Sequence, residues 1–308
     1  MNYECDLHGH TDRSDGCDTP IEYILHAKEQ GLKIVAITDH DIRPPENVTI
    51  GCENYKIEEF AKAQGINLIR GIEISCQTYI EDVHLVCFGC DWNSDYFTKL
   101  ERETVRSKTE SYRKLIRLLK EKGVEAEWDE ILEYEGVPEE KIQKKMIFEY
   151  LSSIGFAESW KEAKKKIKND PALNIFREKP EVATVIREVH KCGGIVILAH
   201  PYLIDEPVSW GGKKISRDEF IEILIQDGID GIEASYTYDK TSYSGLMSKQ
   251  EIEKEVRIKY SNRLAVISGG SDYHGDGKKG VNNPRELGEC GISMDEFVSQ
   301  TLLRKLIE

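Results

Sequence analysis

Long apolar segments are missing from this sequence of 308 residues. The longest purely apolar run is IVILA, at 195–199, whereas a membrane-spanning helix needs about 20 apolar residues. The amino terminus, MNYECDLHGH, is polar and acidic and lacks the apolar core of a secretion signal. We therefore expect a cytoplasmic protein that has no membrane segment.

Cysteine is present, but not in the pattern of a disulfide framework or a zinc ribbon. The eight cysteines are scattered along the chain, which is typical of a reduced, intracellular protein. Only Cys87 and Cys90 form a CxxC pair, and the second pair that a zinc ribbon requires is missing. We interpret these two as small buried side chains.

Positive charge is in deficit. The chain has 42 Lys and Arg against 56 Asp and Glu, a formal net charge of −14. A field of this sign repels polyanions, so we expect no stable binding of duplex nucleic acid. It remains compatible with a small phosphorylated substrate at a local cationic site, and with acidic side chains that bind divalent cations.

Short apolar strands alternate with helical segments in the first and last parts of the chain. The predicted strands are YECDL, KIVAIT, INLIRGIEIS, VHLVCFG, IVILAHP, IDGIEASY and LAVISGGSDYHG. Helices are predicted between most of them, one opened by Thr19 and Pro20, another over Glu53–Gln64, and a last one over Met294–Ile307. This alternation favours an α/β fold with a parallel sheet or barrel.

The middle of the chain has no convincing strand. Arg102–Lys122 has the apolar stripe of one long helix, and shorter helical segments follow up to Lys179. We interpret the lysines and glutamates of this region as a solvated face. The sequence therefore predicts a barrel formed by residues 1–99 and 180–308, with residues 100–179 as a helical insertion.

Histidine is scarce, yet six of the eight histidines lie at the ends of predicted strands. The strand-end His, Asp and Glu residues are His8, His10, Asp15, Asp39, His40, Glu73, His84, His200, Asp272 and His274. In a barrel of parallel strands the carboxyl ends share one rim. Neutral imidazole and carboxylate are natural ligands of divalent cations, and the alternate residues of HxH point to the same side. His26 and His190 lie within predicted helices and are interpreted as structural.

The motifs DLHGHTDRSDG, ITDHD, GIEIS, AHP and GSDYH resemble those of PHP-domain proteins, a family named for polymerase and histidinol phosphatase. The resemblance covers residues 3–91 and 181–275. It implies a distorted (β/α)7 barrel whose rim holds two or three divalent metal ions, Mn, Fe or Zn. The SDG after HxH and the mid-chain insertion resemble the stand-alone phosphoesterases that act on small nucleotides. In that subgroup the insertion, residues 100–179, would cap the active-site rim.

The resemblance also implies the roles of individual residues. One metal would be held by His8, His10, Glu73 and Asp272. Glu73 would bridge to a second metal, also held by His84 and His200. A third would be held by Asp15, His40 and His274. A hydroxide held between metals would attack phosphorus, and Asp15, His40 or His274 would protonate the leaving alkoxide.

Cationic side chains beyond the metals are expected to hold phosphate. The candidates are Arg106, Lys108 and Arg113 on the insertion helix and Arg285 after the last metal motif. A solvated surface is the alternative interpretation of all four.

The sequence thus predicts a metal-dependent phosphoesterase for a small phosphorylated substrate, such as a 3′,5′-bisphosphonucleotide or an oligonucleotide end. Histidinol-phosphate phosphatase is an alternative that would use the same rim. A non-catalytic metal-binding PHP module is another, but its ligand set would be incomplete. Hydrolysis of a C–N or C–O bond is a further alternative, which in many amidohydrolase-like barrels uses a metal-bridging lysine that these motifs lack.

Overall fold

The computed structural model describes residues 3–308. The described chain forms two compact units, one within Met1–Thr98 and Pro180–Glu308, the barrel unit, and one over Lys99–Lys179, the helical unit. Residues 1 and 2, at the start of the predicted first part, lie outside the described residues. Within residues 3–308, no helix combines the length and apolar character needed to cross a membrane.

The strands and helices of the described residues are as follows. The strands are β1 (Cys5–Asp6), β2 (Ile34–Ile37), β3 (Asn47–Ile50), β4 (Glu53–Lys56), β5 (Asn67–Ser75), β6 (His84–Phe88), β7 (Ile195–Leu198), β8 (Val208–Trp210), β9 (Lys213–Ile215), β10 (Gly231–Ser235) and β11 (Val266–Gly269). The α-helices are α1 (Pro20–Glu29), α2 (Ile57–Ala63), α3 (Asp95–Glu121), α4 (Trp128–Glu135), α5 (Lys144–Ser153), α6 (Trp160–Lys168), α7 (Val182–Lys191), α8 (Arg217–Asp227), α9 (Lys249–Tyr260), α10 (Met294–Ser299) and α11 (Thr301–Arg304).

Seven strands form one sheet in the order β1-β2-β5-β6-β7-β10-β11. All neighbours are parallel except β6, which is antiparallel to both β5 and β7. The first and last strands approach each other, because Leu7 N donates to Gly269 O at 3.1 Å and Gly9 forms a parallel bridge with Tyr273. The predicted distorted (β/α)7 barrel is thereby confirmed. The reversal of β6 is the distortion, since a loop rather than a helix joins it to β5.

Apolar side chains at alternate positions fill the barrel interior. Ile34 and Ala36 of β2 and Val86 and Phe88 of β6 belong to this buried cluster, which helices α10 and α11 complete through Phe297 and Leu303. Because strand side chains alternate in direction, residues that continue the same parity at the rim face the same interior. His40 continues the parity of Ala36, and His84 that of Val86. His84 reaches the rim from the amino end of its strand because β6 is reversed.

Two predicted helices differ from the structure. The predicted helix Glu53–Gln64 was wrong in its first turn, because β4 pairs antiparallel with β3 across a turn that contains Gly51, and α2 begins only at Ile57. The predicted helix Met294–Ile307 is divided into α10 and α11. It breaks at Gln300, which has extended backbone. The side-chain oxygen of Gln300 accepts a hydrogen bond from the N–H of Ile267, and its side-chain nitrogen donates one to the carbonyl of Ile267.

The helical unit has a core of its own. The carboxyl-terminal part of α3 packs there with α4, α5 and α6 through residues that include Leu119, Trp128, Ile131, Phe148 and Leu151. The described residues 99–179 contain no strand.

Candidate metal centre

The strand ends bring three groups of His, Asp and Glu side chains together, and these groups share members. They are His8, His10, Glu73 and Asp272; His40, Glu73 and His84; and His10, Asp15, His40 and His274. In each group the candidate ligand atoms lie within 4.8 Å of one another. His200 joins the second group, because its Nε2 lies 2.9 Å from Glu73 Oε1.

Glu73 is the common neighbour of five imidazoles. Its Oε1 lies 2.9 Å from His84 Nδ1 and from His200 Nε2. Its Oε2 lies 3.3 Å from the Nε2 atoms of both His8 and His10, and 3.0 Å from His40 Nδ1. Glu73 is buried near the end of β5. Its two oxygens therefore face two different sets of histidines.

Asp272 completes the group that contains both histidines of the HxH motif. Its Oδ1 lies 3.0 Å from His10 Nε2 and 3.5 Å from His8 Nε2. The third group opens toward solvent, where Asp15 Oδ1 lies 3.1 Å from His274 Nε2 and 3.9 Å from His10 Nδ1. The Asp15 side chain is 52% exposed, and that of His10 is fully buried.

The buried atoms of this cluster lack the hydrogen bonds that buried polar atoms normally make. His8 Nε2, both ring nitrogens of His10, His40 Nδ1, Glu73 Oε2 and His200 Nδ1 have no hydrogen-bond partner. Such atoms are costly to bury unless another partner satisfies them. A divalent cation would satisfy those that face one another without hydrogen-bond geometry, such as His8 Nε2, His40 Nδ1 and Glu73 Oε2.

The distances between the candidate ligand atoms also fit a bound divalent cation. Nitrogen and oxygen ligands about 2.1 Å from an ion, in tetrahedral or octahedral arrangement, lie about 3.0–3.4 Å from one another. The contacts around Glu73 and Asp272 range from 2.9 to 3.5 Å. The residues present therefore fit divalent metal ions.

Electrostatics hold the carboxylates in their ligand form. Burial would raise the pKa of Glu73, but the charges of His40 and His8 lower it well below its usual range. Burial would likewise raise the pKa of Asp272, which His274 and His8 lower well below its usual range. Both side chains are thus ionised in the folded protein.

The pKa values of His40 and His274 are shifted in opposite directions by their surroundings. Burial would lower the pKa of His40, but the Glu73 carboxylate raises it to about 10. Burial and the neighbouring His10 lower the pKa of His274. Burial would raise the pKa of Asp15, but a hydrogen bond from His274 and the charge of His40 lower it. Crowded imidazoles and ionised carboxylates are the state that cations stabilise.

Sequence reasoning missed Glu233, a buried residue of β10. Its carboxylate lies 3.2 Å from His8 Nδ1 and accepts the backbone N–H of His200 at 2.7 Å. This leaves Nε2 of His8 to face Glu73 and Asp272, the arrangement of a carboxylate that orients a metal-binding imidazole. It also anchors His200, whose φ of 28° is unfavourable for a residue with a side chain. The repeated GIExS of β5 and β10 was the available signal.

Tyr236 and Asp276 were also missed, and both bear on Asp272. The hydroxyl of Tyr236 donates to Asp272 Oδ2 at 2.7 Å, and Arg285 Nη1 donates to the same oxygen at 2.6 Å. Arg285 is itself held by Asp276, whose Oδ2 accepts from Nε at 2.7 Å. Two donors thus occupy Oδ2 and leave Oδ1 directed at the histidines.

The other predicted phosphate-binding residues lie in the helical unit. Arg113 donates from Nε and Nη2 to the carboxylate of Glu139, both at 2.9 Å, and its guanidinium lies over Trp128. Arg106 is exposed and lies 4.0 Å from Glu110. Lys108 is half-buried. Their contact with substrate stays a prediction.

Curated relatives share one class of reaction. The chain is 26% identical over 216 residues to a 5′-3′ exoribonuclease from Haemophilus influenzae, covering 70% of this chain and 75% of the relative. It is 26% identical over 275 residues to a phosphoribosyl 1,2-cyclic phosphate 1,2-diphosphodiesterase from Eggerthella lenta, covering 88% and 94%. It is 24% identical over 291 residues to a 3′,5′-nucleoside bisphosphate phosphatase from Chromobacterium violaceum, covering 92% of each chain. All three names describe hydrolysis of phosphoric esters.

A solved structure and a family model agree with this fold. A candidate metal-dependent phosphoesterase from Bifidobacterium adolescentis superposes with a TM-score of 0.65 at 24% identity, covering 98% of this chain and 96% of that chain. The model of the PHP domain matches residues 6–191. The chain is a metal-dependent phosphoric ester hydrolase. The resemblance of its motifs is therefore confirmed, and the chain belongs to the PHP domain family.

Proposed function

We propose that this protein hydrolyses a phosphoester of a nucleotide, such as a 3′,5′-bisphosphonucleotide or an oligonucleotide end. The observation that carries the proposal is Glu73, whose two oxygens lie within 3.3 Å of five imidazole nitrogens. Together with Asp272 and Asp15, this supplies ligands for two or three divalent ions. Imidazole and carboxylate suit Mn, Fe or Zn, and we propose one of these.

The choice of a nucleotide rests on the relatives. The three are named for RNA, for a cyclic phosphate of a phosphoribosyl group and for a nucleoside bisphosphate. Each of these substrates carries phosphate on ribose. A phosphorylated ribose is therefore the substrate class that the relatives have in common.

The chain's own groups have distinct tasks in this proposal. Divalent ions, when bound, generate the nucleophile from water and neutralise the phosphoryl oxygens. His8, His10, Glu73, His84, His200 and Asp272 would hold the ions that act on phosphorus. Asp15, His40 and His274 would hold a third ion, and one of the three would deliver the proton to the leaving alkoxide, directly or through that ion.

Two predictions about substrate contacts remain open to experiment. Residues 100–179 are predicted to cap the active-site rim, with Arg106, Lys108 and Arg113 near phosphate. Arg285 is predicted to bind phosphate as well, although both of its contacts in the structure are to Asp272 and Asp276. A non-catalytic module is disfavoured, since the nine predicted ligands lie together in clusters that could hold metal ions.

Phosphate release by the Mn-reconstituted protein tests the proposal. The panel contains nucleoside 5′-monophosphates, 3′,5′-bisphosphonucleotides, short RNA and histidinol phosphate, each with and without chelator. We expect chelator-sensitive phosphate release from a nucleotide or from RNA, and we expect the His10→Ala variant to release none. His190→Ala is the matched control, because His190 lies on α7 and pairs with Asp230 away from the centre. Release from histidinol phosphate alone would contradict the proposal.

A further inference from the structure

A row of lysines lies along one face of α6 in the helical unit. Four residues follow the i, i+3, i+4, i+7 spacing that aligns side chains on a helix face: Lys161, Lys164, Lys165 and Lys168. All four are exposed, whereas Ala163 and Ile167 of the same helix are buried in the core of the unit. These four residues are called the lysine row below.

The lysine row lacks acidic partners. Across residues 3–308, none of its members forms an ion pair, whereas Lys120, Lys122 and Lys145 of the same unit pair with nearby carboxylates. Its members instead form like-charged i,i+4 pairs, Lys161 with Lys165 and Lys164 with Lys168, which weaken a helix. A bound anion would relieve this repulsion.

An aromatic ring lies at the start of the row. The ammonium groups of Lys145 and Lys161 lie 5.5 and 5.7 Å from the centroid of the Trp160 ring. Trp160 is half-buried, so part of its ring is accessible. Ammonium groups beside an accessible aromatic ring are the combination that binds the phosphates and bases of single-stranded nucleic acid.

The charge of the chain is unevenly divided. Residues 99–179 contain 19 Lys and Arg against 17 Asp and Glu, so the rest of the chain has 23 against 39. The barrel unit thus carries all of the net negative charge and repels a strand of several phosphates. A mononucleotide needs no further cationic surface than the metal centre, but a strand does.

We propose that the lysine row and Trp160 bind a single-stranded oligonucleotide. The row extends over about 10 Å of helix, at about 1.5 Å per residue, enough to contact more than one phosphate. A lipid surface fits less well, because the apolar side chains Ala163 and Ile167 face the core rather than accompany the lysines.

Fluorescence anisotropy of a labelled single-stranded RNA of about a dozen nucleotides tests the binding surface. The full chain is used, with chelator to prevent cleavage and at about 50 mM salt. The quadruple variant K161Q/K164Q/K165Q/K168Q should bind about tenfold more weakly, and the slope of log K against log salt should fall by about 2. Its melting temperature should not drop, because no ion pair is removed.

A matched variant on the barrel unit controls for net charge. K33Q/K62Q/K213Q/K254Q removes four exposed lysines that also lack an ion pair among the described residues. It should bind RNA within about twofold of wild type. Equal losses in both variants, or no loss in the lysine-row variant, would overturn the proposal. Stronger binding to phosphatidylserine vesicles than to RNA would also overturn it.

Turnover separates this proposal from the proposed function. In the Mn-loaded enzyme, the lysine-row variant should leave kcat and KM for a 3′,5′-bisphosphonucleotide unchanged, because the predicted metal ligands lie in the barrel unit. A loss of this turnover equal to the loss of RNA binding would overturn the assignment of the binding loss to the row. If wild type hydrolyses no nucleotide and no RNA, the proposed function fails, while the anisotropy comparison still decides whether the row binds RNA.

Discussion

At the scale of single residues, the neighbours of Asp272 determine which of its oxygens faces the other proposed metal ligands. Tyr236 and Arg285 both donate to its Oδ2, so only Oδ1 faces His8 and His10. Arg285 is fixed in turn by Asp276. A residue predicted to bind phosphate thus has contacts that orient a metal ligand.

Arg285→Ala is expected to weaken metal binding by about 10- to 100-fold, the usual effect of losing a group that orients a ligand. Competition with a fluorescent chelator measures the affinity, and Arg263→Ala, which breaks an exposed pair with Glu222, is the control. If metal affinity is unchanged and KM for the nucleotide rises instead, Arg285 binds substrate and the orienting role is wrong.

At the scale of elements, β5 and β10 carry the same GIExS sequence but use its glutamate differently. Glu73 of β5 faces the imidazoles directly. The carboxylate of Glu233 of β10 instead hydrogen-bonds to His8 Nδ1 and accepts the backbone N–H of His200. The difference arises from neighbouring strands, because β5 lies beside β2 and β6, which bring His40 and His84, and β10 lies beside β7 and β11.

Glu233→Ala is expected to lower metal affinity by about 10- to 100-fold, because His8 loses the acceptor that fixes its tautomer. Metal titration of the purified variant measures this, and Glu233→Gln, which keeps an acceptor oxygen, should recover part of the affinity. Wild-type metal affinity in Glu233→Ala would show that β10 serves only the packing of the barrel.

The sequence predicted the elements of the sheet well and their contacts less well. All seven barrel strands were predicted, because most of them are short apolar runs next to a polar side chain. The hairpin β3–β4 and the break at Gln300 were not, since they depend on pairing across a turn and on a bond to Ile267. Glu233 was missed for a similar reason: its partner His8 lies 225 residues away.

At the scale of the whole molecule, the two units have separate cores, and the predicted ligands all lie in the barrel unit. Metal should therefore stabilise the barrel unit selectively. At a free metal concentration of 100 times Kd, the gain is about 2.7 kcal/mol. For a unit of this size, that raises the melting temperature by about 5–10 °C.

Tryptophan fluorescence can report the two units separately. Trp92 and Trp210 lie in the barrel unit, and Trp128 and Trp160 lie in the helical unit. Two variants are made, each of which keeps the tryptophans of one unit only. The melting temperature should rise with metal in the variant that keeps the barrel pair, and should rise less in the variant that keeps the helical pair. An equal shift for both pairs would mean that the units unfold together, and no shift would mean that the barrel binds no metal.

The most direct test of the central claim is phosphate release as chelated protein is titrated with Mn²⁺, for wild type and Glu73→Gln. Glu73 is the residue on which the imidazoles converge, so its loss should remove metal binding and activity together. The account predicts no release without metal, release that rises to a plateau at two or three equivalents in wild type, and none in Glu73→Gln at any equivalence. Metal-independent release, or wild-type release from Glu73→Gln, would contradict it.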